Sequence, residues 1–428
     1  MFKTIAEAFK VKDIRKKILI TLLLLFIYRI GCWIPCVGFS TSIVDTSGSS
    51  FGFFELMNMV SGGALSNCSI LALGVSPYIT ASIVIQLLTV AIPALERAAK
   101  SGEDGRRKIN LYTRIAALVL ALAQAIGIVV AYSGNLDQNL GGFPTWLIGA
   151  GVVITLVAGA MFTVWIGERI TDLGIGNGTS LLIFVGILSS AGQSLFTAIE
   201  LTIADINYIW YILIFIVAVI AIFALIVFID GGERRVNVQY AKQIKGRRMY
   251  GGQSNYIPIK VNATGVMPII FANALLTFPQ LIISIFWPDV TWYSDWLGTN
   301  SWLYIVLTAV LILLFAFFYS KITFDPNDIS KRIQQQGGFI PGIRAGKPTA
   351  DYLGKISGRI TLFGAIFLAA IALVPSLAFK AIGDATTASV LINAFSTTGL
   401  MIVVSVALEL EKQLSAQMFM RNHKGFLN

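Results

Sequence analysis

The side chains best suited to chemistry in this chain are few, and their spacing builds no reaction centre. His423 is the one histidine among 428 residues. A histidine-built metal site and a Ser-His-Asp triad are therefore both out of reach. The cysteines are Cys32, Cys36 and Cys68, with no CxxC pair. An odd count at this spacing argues against a disulfide framework, so each reads first as a small buried hydrophobe. A Cys32–Cys36 or Cys36–Cys68 bridge stays open should that end of the protein face an oxidising compartment. No HExxH, GxSxG or paired-carboxylate arrangement occurs. The run Gly174-Ile175-Gly176-Asn177-Gly178 is followed by no Lys-Ser/Thr and preceded by no strand, which excludes a P-loop and leaves a tight turn into a helix. The expectation is a protein without catalytic residues, metal or cofactor.

The frame around these residues is apolar. Hydrophobic residues make up 56% of the chain and charged residues 13%. Soluble proteins carry about 25% charged residues, and a single soluble domain cannot hide this much apolar surface. Composition thus excludes a soluble globular enzyme, a disordered chain and a secreted disulfide scaffold. It points to an all-α polytopic membrane protein. Apolar runs long enough to cross a bilayer fall at 18–35, 70–90, 111–132, 146–167, 180–199, 208–229, 265–286, 302–324, 360–380 and 387–408. No β-barrel alternation is present, and only helices or closed barrels satisfy their backbone in hydrocarbon, so these runs predict ten transmembrane helices. Lys10, Lys12, Arg15, Lys16 and Lys17 precede the first run as in a signal peptide, but the run is long and no small-residue cleavage site follows. It reads as an uncut first span.

The net charge is +10, and where it sits matters more than its size. Basic clusters lie in the arm at 1–17, around 97–108, in the loops 230–264 and 321–359, and in the tail at 409–428; the loops between them are almost free of Lys and Arg. The alternation at nearly every crossing places both termini in the cytoplasm by the positive-inside rule. The two long basic loops, punctuated by Gly337-Gly338 and Pro341-Gly342, suit docking of an acidic partner or RNA as well as lipid headgroups.

Within the spans, Arg29 is the clear charged exception, and snorkelling toward the interface is its simplest reading. No carboxylate or histidine relay lies at depth, which weakens an ion-coupled pump or carrier. Ser82 and Gln86 sit four apart on the second span, and Asn273, Thr277 and Gln280 share a face of the seventh. In lipid such groups seek neighbouring helices or line a wetted face. The stretch 51–66 is apolar, too short to cross, and ends in Gly62-Gly63. It reads as an interfacial helix or a re-entrant plug with a glycine hinge.

Several runs resemble one family at length and in order. SGGALSNCSILALGVSPYITASIVIQLLT (61–89), EDGRRKINLYTR (103–114), GIGNGTSLLIF (174–184), QYAKQIKGRRMYGGQSNYIPIKVNATGVMPIIFA (239–272), QQQGGFIPGIRAGKPT (334–349) and RNHKGFL (421–427) look like the SecY family, the central subunits of the bacterial protein-translocation channel. The resemblance covers nearly the whole chain. It implies two pseudo-symmetric inverted halves of five helices, 18–200 and 201–408, clamped around an hourglass pore. The waist would be an aliphatic ring of Ile79, Ile83, Ile183, Ile270 and Ile402, a compliant gasket that dewets against ions yet deforms around a passing chain. The stretch 51–66 becomes the plug, with Phe53, Phe54, Met57, Gly62 and Gly63. Ser82, Gln86, Asn273 and Thr277 become the lateral gate through which signal sequences and membrane spans leave for lipid. Arg247, Arg248, Tyr250 and Arg344 fall on positions linked to docking of the SecA motor ATPase or the ribosome. SecE-like and SecG-like small membrane subunits, unfolded preproteins and the bacterial cell membrane complete the implied setting.

The chain departs from the family pattern at Arg344-Ala345-Gly346, at Ile34-Pro35-Cys36-Val37 and at Ser396-Thr397. These changes put the loop geometry and the purpose of Cys36 in question, but touch none of the five ring positions. The alternative class is an inverted-repeat secondary transporter of a small solute, which would act without any motor.

Overall fold

The computed structural model describes residues 9–39, 57–58, 60–132, 136, 144–204, 209–240, 243–245, 248–250, 254–262, 265, 267–286, 296, 301–382 and 397–424. The helices are α1 (Lys12–Gly31), α2 (Ser76–Ala91), α3 (Pro93–Lys100), α4 (Glu103–Ala131), α5 (Thr145–Leu173), α6 (Gly178–Ala204) and α7 (Ile209–Asp230). Strands β1 (Glu233–Tyr240), β2 (Gln243–Lys245), β3 (Arg248–Tyr250) and β4 (Ser254–Lys260) follow. The chain continues through α8 (Met267–Phe286), α9 (Trp302–Thr323), α10 (Pro326–Gln335), β5 (Gly338–Phe339), α11 (Lys347–Ile382) and α12 (Thr397–Lys424). Each of the apolar runs overlaps one long helix. Among the described residues, Glu103–Val130, Thr145–Leu173, Trp302–Gln335 and Lys347–Leu373 are long and apolar enough to cross a membrane; α2 with α3, bent by 107°, makes a fifth if counted as one span.

The helix ends follow local chemistry. Gly102, with φ of 83°, stands before α4, and Glu103 and Asp104 place negative charge on the α4 N-terminal dipole. Pro93 opens α3 at the bend. Span hydroxyls are hidden inside their own helices: those of Thr113, Thr163, Thr171 and Thr308 each donate to the carbonyl four residues back. That removes the cost of an unpaired hydroxyl in lipid. On α1, Leu19, Leu22, Leu23 and Phe26 are all more than half exposed, as a lipid-facing stripe must be.

The chain divides into two compact units: residues 1–208, 274–301 and 389–428 form one, and 209–273 and 302–388 the other. The first has a core built from residues such as Cys36, Leu73, Ala121, Ala125, Val152 and Leu156. Small residues on α4 and α5 let backbones approach, and a Cβ at Gly159 would run into the carbonyl of Ile70. The second unit carries a sheet in the order β4-β1-β5. β1 and β4 are antiparallel with Val236 opposite Ile257 and Asn237 opposite Tyr256, and Gln239 of β1 faces Phe339 of β5. Val236 and Val238 point inward onto Ile259, Ile333, Ile340 and Leu353, so α10 and α11 cover the sheet.

Two segments differ from the expectation of plain loops. The stretch 230–264 contains the β1–β4 ladder, and 321–359 contains α10, β5 and the first turns of α11, which starts at Lys347 rather than near 360. The physical reason is amphipathicity. Both stretches are too charged for the bilayer, yet each alternates enough apolar residues to build a small core outside it.

Candidate functional site

Residues 62–75 form a string of turns between a helical stretch ending at Ser61 and the start of α2. Such backbone needs partners at membrane depth, and local groups supply them. The Asn58 carbonyl accepts from the Gly63 N–H at 2.9 Å. The Asn58 side-chain amide donates to Ser66 Oγ at 2.7 Å and its oxygen accepts from the Ser66 N–H at 3.0 Å. Ser61 Oγ donates to the Asn58 carbonyl at 3.1 Å. Gly62 and Gly63 have φ of 74° and 84°, a left-handed pair that only glycine adopts without strain. The stretch also lies hard against α6, because a Cβ at Gly186 would meet the carbonyl of Val60.

Arg29, in the last turn of α1, reaches into this knot. Its guanidinium donates to the Ser61 carbonyl at 3.5 Å, to the Gly62 carbonyl at 3.3 Å and to Ser189 Oγ on α6. Snorkelling does not describe it: the charge is held by the chain's own backbone. A second clasp lies nearby. The Cys36 N–H donates to the Cys68 carbonyl at 2.7 Å, and the Ile70 N–H to the Ile34 carbonyl at 3.0 Å, around a bridge of Pro35 with Ser69. Cys32, Cys36 and Cys68 are buried thiols.

The sequence-derived plug residues fall partly within this region. Met57 is buried at 2% exposure, Gly62 and Gly63 form the left-handed pair, and Phe53 and Phe54 lie outside the described residues. Of the expected ring, Ile83 on α2, Ile183 on α6 and Ile402 on α12 are buried, and Ile79 and Ile270 half-buried. α6 packs against α12, and α2 against α4, within the first unit. Ile270 on α8 belongs to the second unit. Ile187, one turn beyond Ile183 on α6, is buried at 2%; its i, i+4 spacing from Ile183 is the sequence signal that could have found it.

The expected gate residues divide likewise. Ser82 and Gln86 are half-buried on α2, and Gln86 Oε1 is buried with no hydrogen-bond partner. Asn273 is half-buried on α8 and belongs to the second unit; Thr277 lies on α8, its side chain outside the described residues. Of the docking residues, Arg247 lies outside the described residues. Arg248 and Tyr250 are on β3, opposite Lys245 and Gln243 in a short hairpin. Arg344 is exposed on a turn held by Ile343 N–H to the Ile340 carbonyl at 3.0 Å, Thr349 Oγ1 to the Arg344 carbonyl at 2.8 Å, and Ser330 Oγ to the Gly346 carbonyl at 2.6 Å. On β1 of the same unit, Arg235 stacks over Tyr256 at 4.8 Å and pairs with Glu233 at 2.7 Å.

Long apolar helices, hydroxyls satisfied within their spans and a clasped non-helical segment among them define a mostly helical, multi-pass membrane protein. Comparison with known proteins narrows the class. The SecY family model matches residues 69–410. The protein translocase subunits SecY of Streptomyces scabiei and Mycobacterium bovis are 42% and 40% identical to this chain, each comparison covering all of both proteins. The chain belongs to the SecY family. Its fold is also that of a solved protein-conducting channel, with 21% identity and a TM-score of 0.68 over 95% of this chain and 93% of that one. Canine Sec61, seen in a ribosome–channel complex from the endoplasmic reticulum, matches with 18% identity and a TM-score of 0.64 over the same shares.

Proposed function

We propose that this chain is the central subunit of a protein-conducting channel, passing unfolded polypeptides across the cytoplasmic membrane and releasing membrane spans sideways into lipid. The observation that carries it is full-length similarity to translocase subunits named SecY, at 42% identity for the first of them. The physical fit is consistent. Branched apolar side chains at Ile79, Ile83, Ile183, Ile270 and Ile402, with Ile187 added, form the waist that dewets at rest and yields to a threading chain. The stretch 51–66 is the plug on the outer side, and Ser82, Gln86, Asn273 and Thr277 line the lateral gate. The two inverted halves, 18–200 and 201–408, clamp around the waist.

Both termini and the basic segments face the cytoplasm. Exposed Arg344, with Arg247, Arg248 and Tyr250, meets a SecA motor or the RNA-rich surface of a ribosome. SecE-like and SecG-like subunits complete the complex. No covalent chemistry is asked of this chain; the motor or the elongating ribosome supplies the driving force, and transport needs no cofactor here.

Replacing the five isoleucines together with serine tests the waist. The resting channel in a planar bilayer should then leak ions, while a preprotein stalled in the native channel should crosslink to probes at those positions. Unchanged resting conductance together with no crosslinks overturns the reading.

A further inference from the structure

We infer that Arg29 is the latch of the resting channel: its guanidinium fastens the exit of the plug segment to α6 by gripping the Ser61 and Gly62 carbonyls and the Ser189 hydroxyl. This rests on the channel reading above, since a latch has meaning only if the segment moves.

Three features of the geometry support it. The acceptors come from two places far apart in sequence, the turn at 61–62 and Ser189 on α6, and one planar group joins them. A guanidinium holds five donors in a rigid fork, so it can serve several acceptors at once where an ammonium acts as a point charge. The contact is also tailored sterically. A Cβ at Gly62 would meet both the Arg29 guanidinium and the Gly186 carbonyl, and one at Gly186 would meet the Val60 carbonyl. Glycine at both positions lets the two backbones and the charge come together. Finally, a cation in the last turn of α1 complements the negative end of that helix.

The choice of acceptors has a mechanical meaning. Two of the three are backbone carbonyls, which no side-chain exchange in the plug segment removes. Displacing the segment must strip both from the guanidinium and leave Ser61, 1% exposed at rest, to find other partners. Arg29 thus sets the balance between the docked and displaced segment without contacting the polypeptide in transit, and it is a positioning residue for gating.

The test uses the complex purified through this chain and reconstituted in planar bilayers. Arg29→Gln keeps the size and some donors but loses the charge; resting open probability should rise roughly tenfold or more, as expected for losing hydrogen bonds to a charged group. Arg29→Lys should lie between. Ser189→Ala should raise it less and add nothing in the Arg29→Gln background, because both act through one contact. A merely structural role for Arg29 would not produce that non-additivity. Arg29→Gln channels that assemble, translocate a preprotein and show wild-type resting conductance overturn the latch, as do additive effects of the two changes. If Arg29→Gln does not assemble, Ser189→Ala and Gly62→Ala decide: wild-type conductance in both also overturns it. Failure of the wild-type complex to translocate would sink the channel reading instead, so the two failures are distinguishable.

Discussion

The turns at 62–75 and the sheet of β1, β4 and β5 both carry backbone that no α-helix satisfies, yet they find partners differently. In the sheet, the ladder pairs N–H and C=O groups strand to strand, and Val236, Val238 and Ile259 bury themselves beneath it. Specificity there lies in side-chain volume, and the polar face is left to water. In the turns, short local backbone bonds such as Ser69 N–H to the Ala64 carbonyl are supplemented by single side chains: the Asn58 amide, the Ser61 hydroxyl and the Arg29 guanidinium. Specificity there lies in close backbone approach, at Gly62, Gly159 and Gly186. The first kind of region tolerates change at its surface; the second has almost no surface to change.

The sharpest break of this contrast would come from Gly159→Val. The new side chain points at the Ile70 carbonyl, where backbone lies on both sides and neither can retreat. A loss of about 3 kcal/mol or more is expected, read as a lowered thermal midpoint in detergent or failure to purify. An unchanged midpoint would mean the turns do not rest on α5. Next in size is Leu353→Ala. This side chain is 0% exposed under the sheet, and its truncation should cost about 2–5 kcal/mol. Limited proteolysis should then cut within 233–260 faster while α4 and α5 resist as before; uniform sensitivity would show that the sheet is not a separate core. The smallest effect on stability belongs to Arg344→Glu, exposed on its turn. Stability should stay within about 0.5 kcal/mol, while preprotein transport falls because a docking charge is inverted. Normal transport by that variant removes the docking role.

The sequence was most legible where one physical signal dominates. Each apolar run overlaps a helix, because hydrocarbon favours a backbone that satisfies itself, although 70–75 of the second run are turns and 387–396 of the last lie outside the described residues. The glycine run at 174–178 became the turn into α6, with Asn177 Oδ1 accepting from the Thr179 N–H at 3.1 Å. Legibility failed where signals were mixed. Val236 and Val238 alternate with Arg235 and Asn237 as a half-buried strand should, but the density of charge around them reads as a loop. The α10 helix is short and polar for the same reason. Arg29 was visible as an oddity, but its partners lie 32, 33 and 160 residues away. A distance of that kind is written in the fold and nowhere in the local pattern. The ring and gate positions came only through family resemblance, since one isoleucine in a membrane helix looks like any other.

Ile14 packs with Ile175 and Leu414, and Leu410 and Met418 close over them. Of the buried members, Ile14 and Leu414 lie 400 positions apart. At a synthesis rate of about 5–20 residues per second, Ile14 waits roughly 20–80 s for its last neighbour to leave the ribosome. Until then an apolar face of the young protein stands open. The seam at Ile14 thus works as a clock of translation: it can shut only once the coding message has been read past the codon for Leu414.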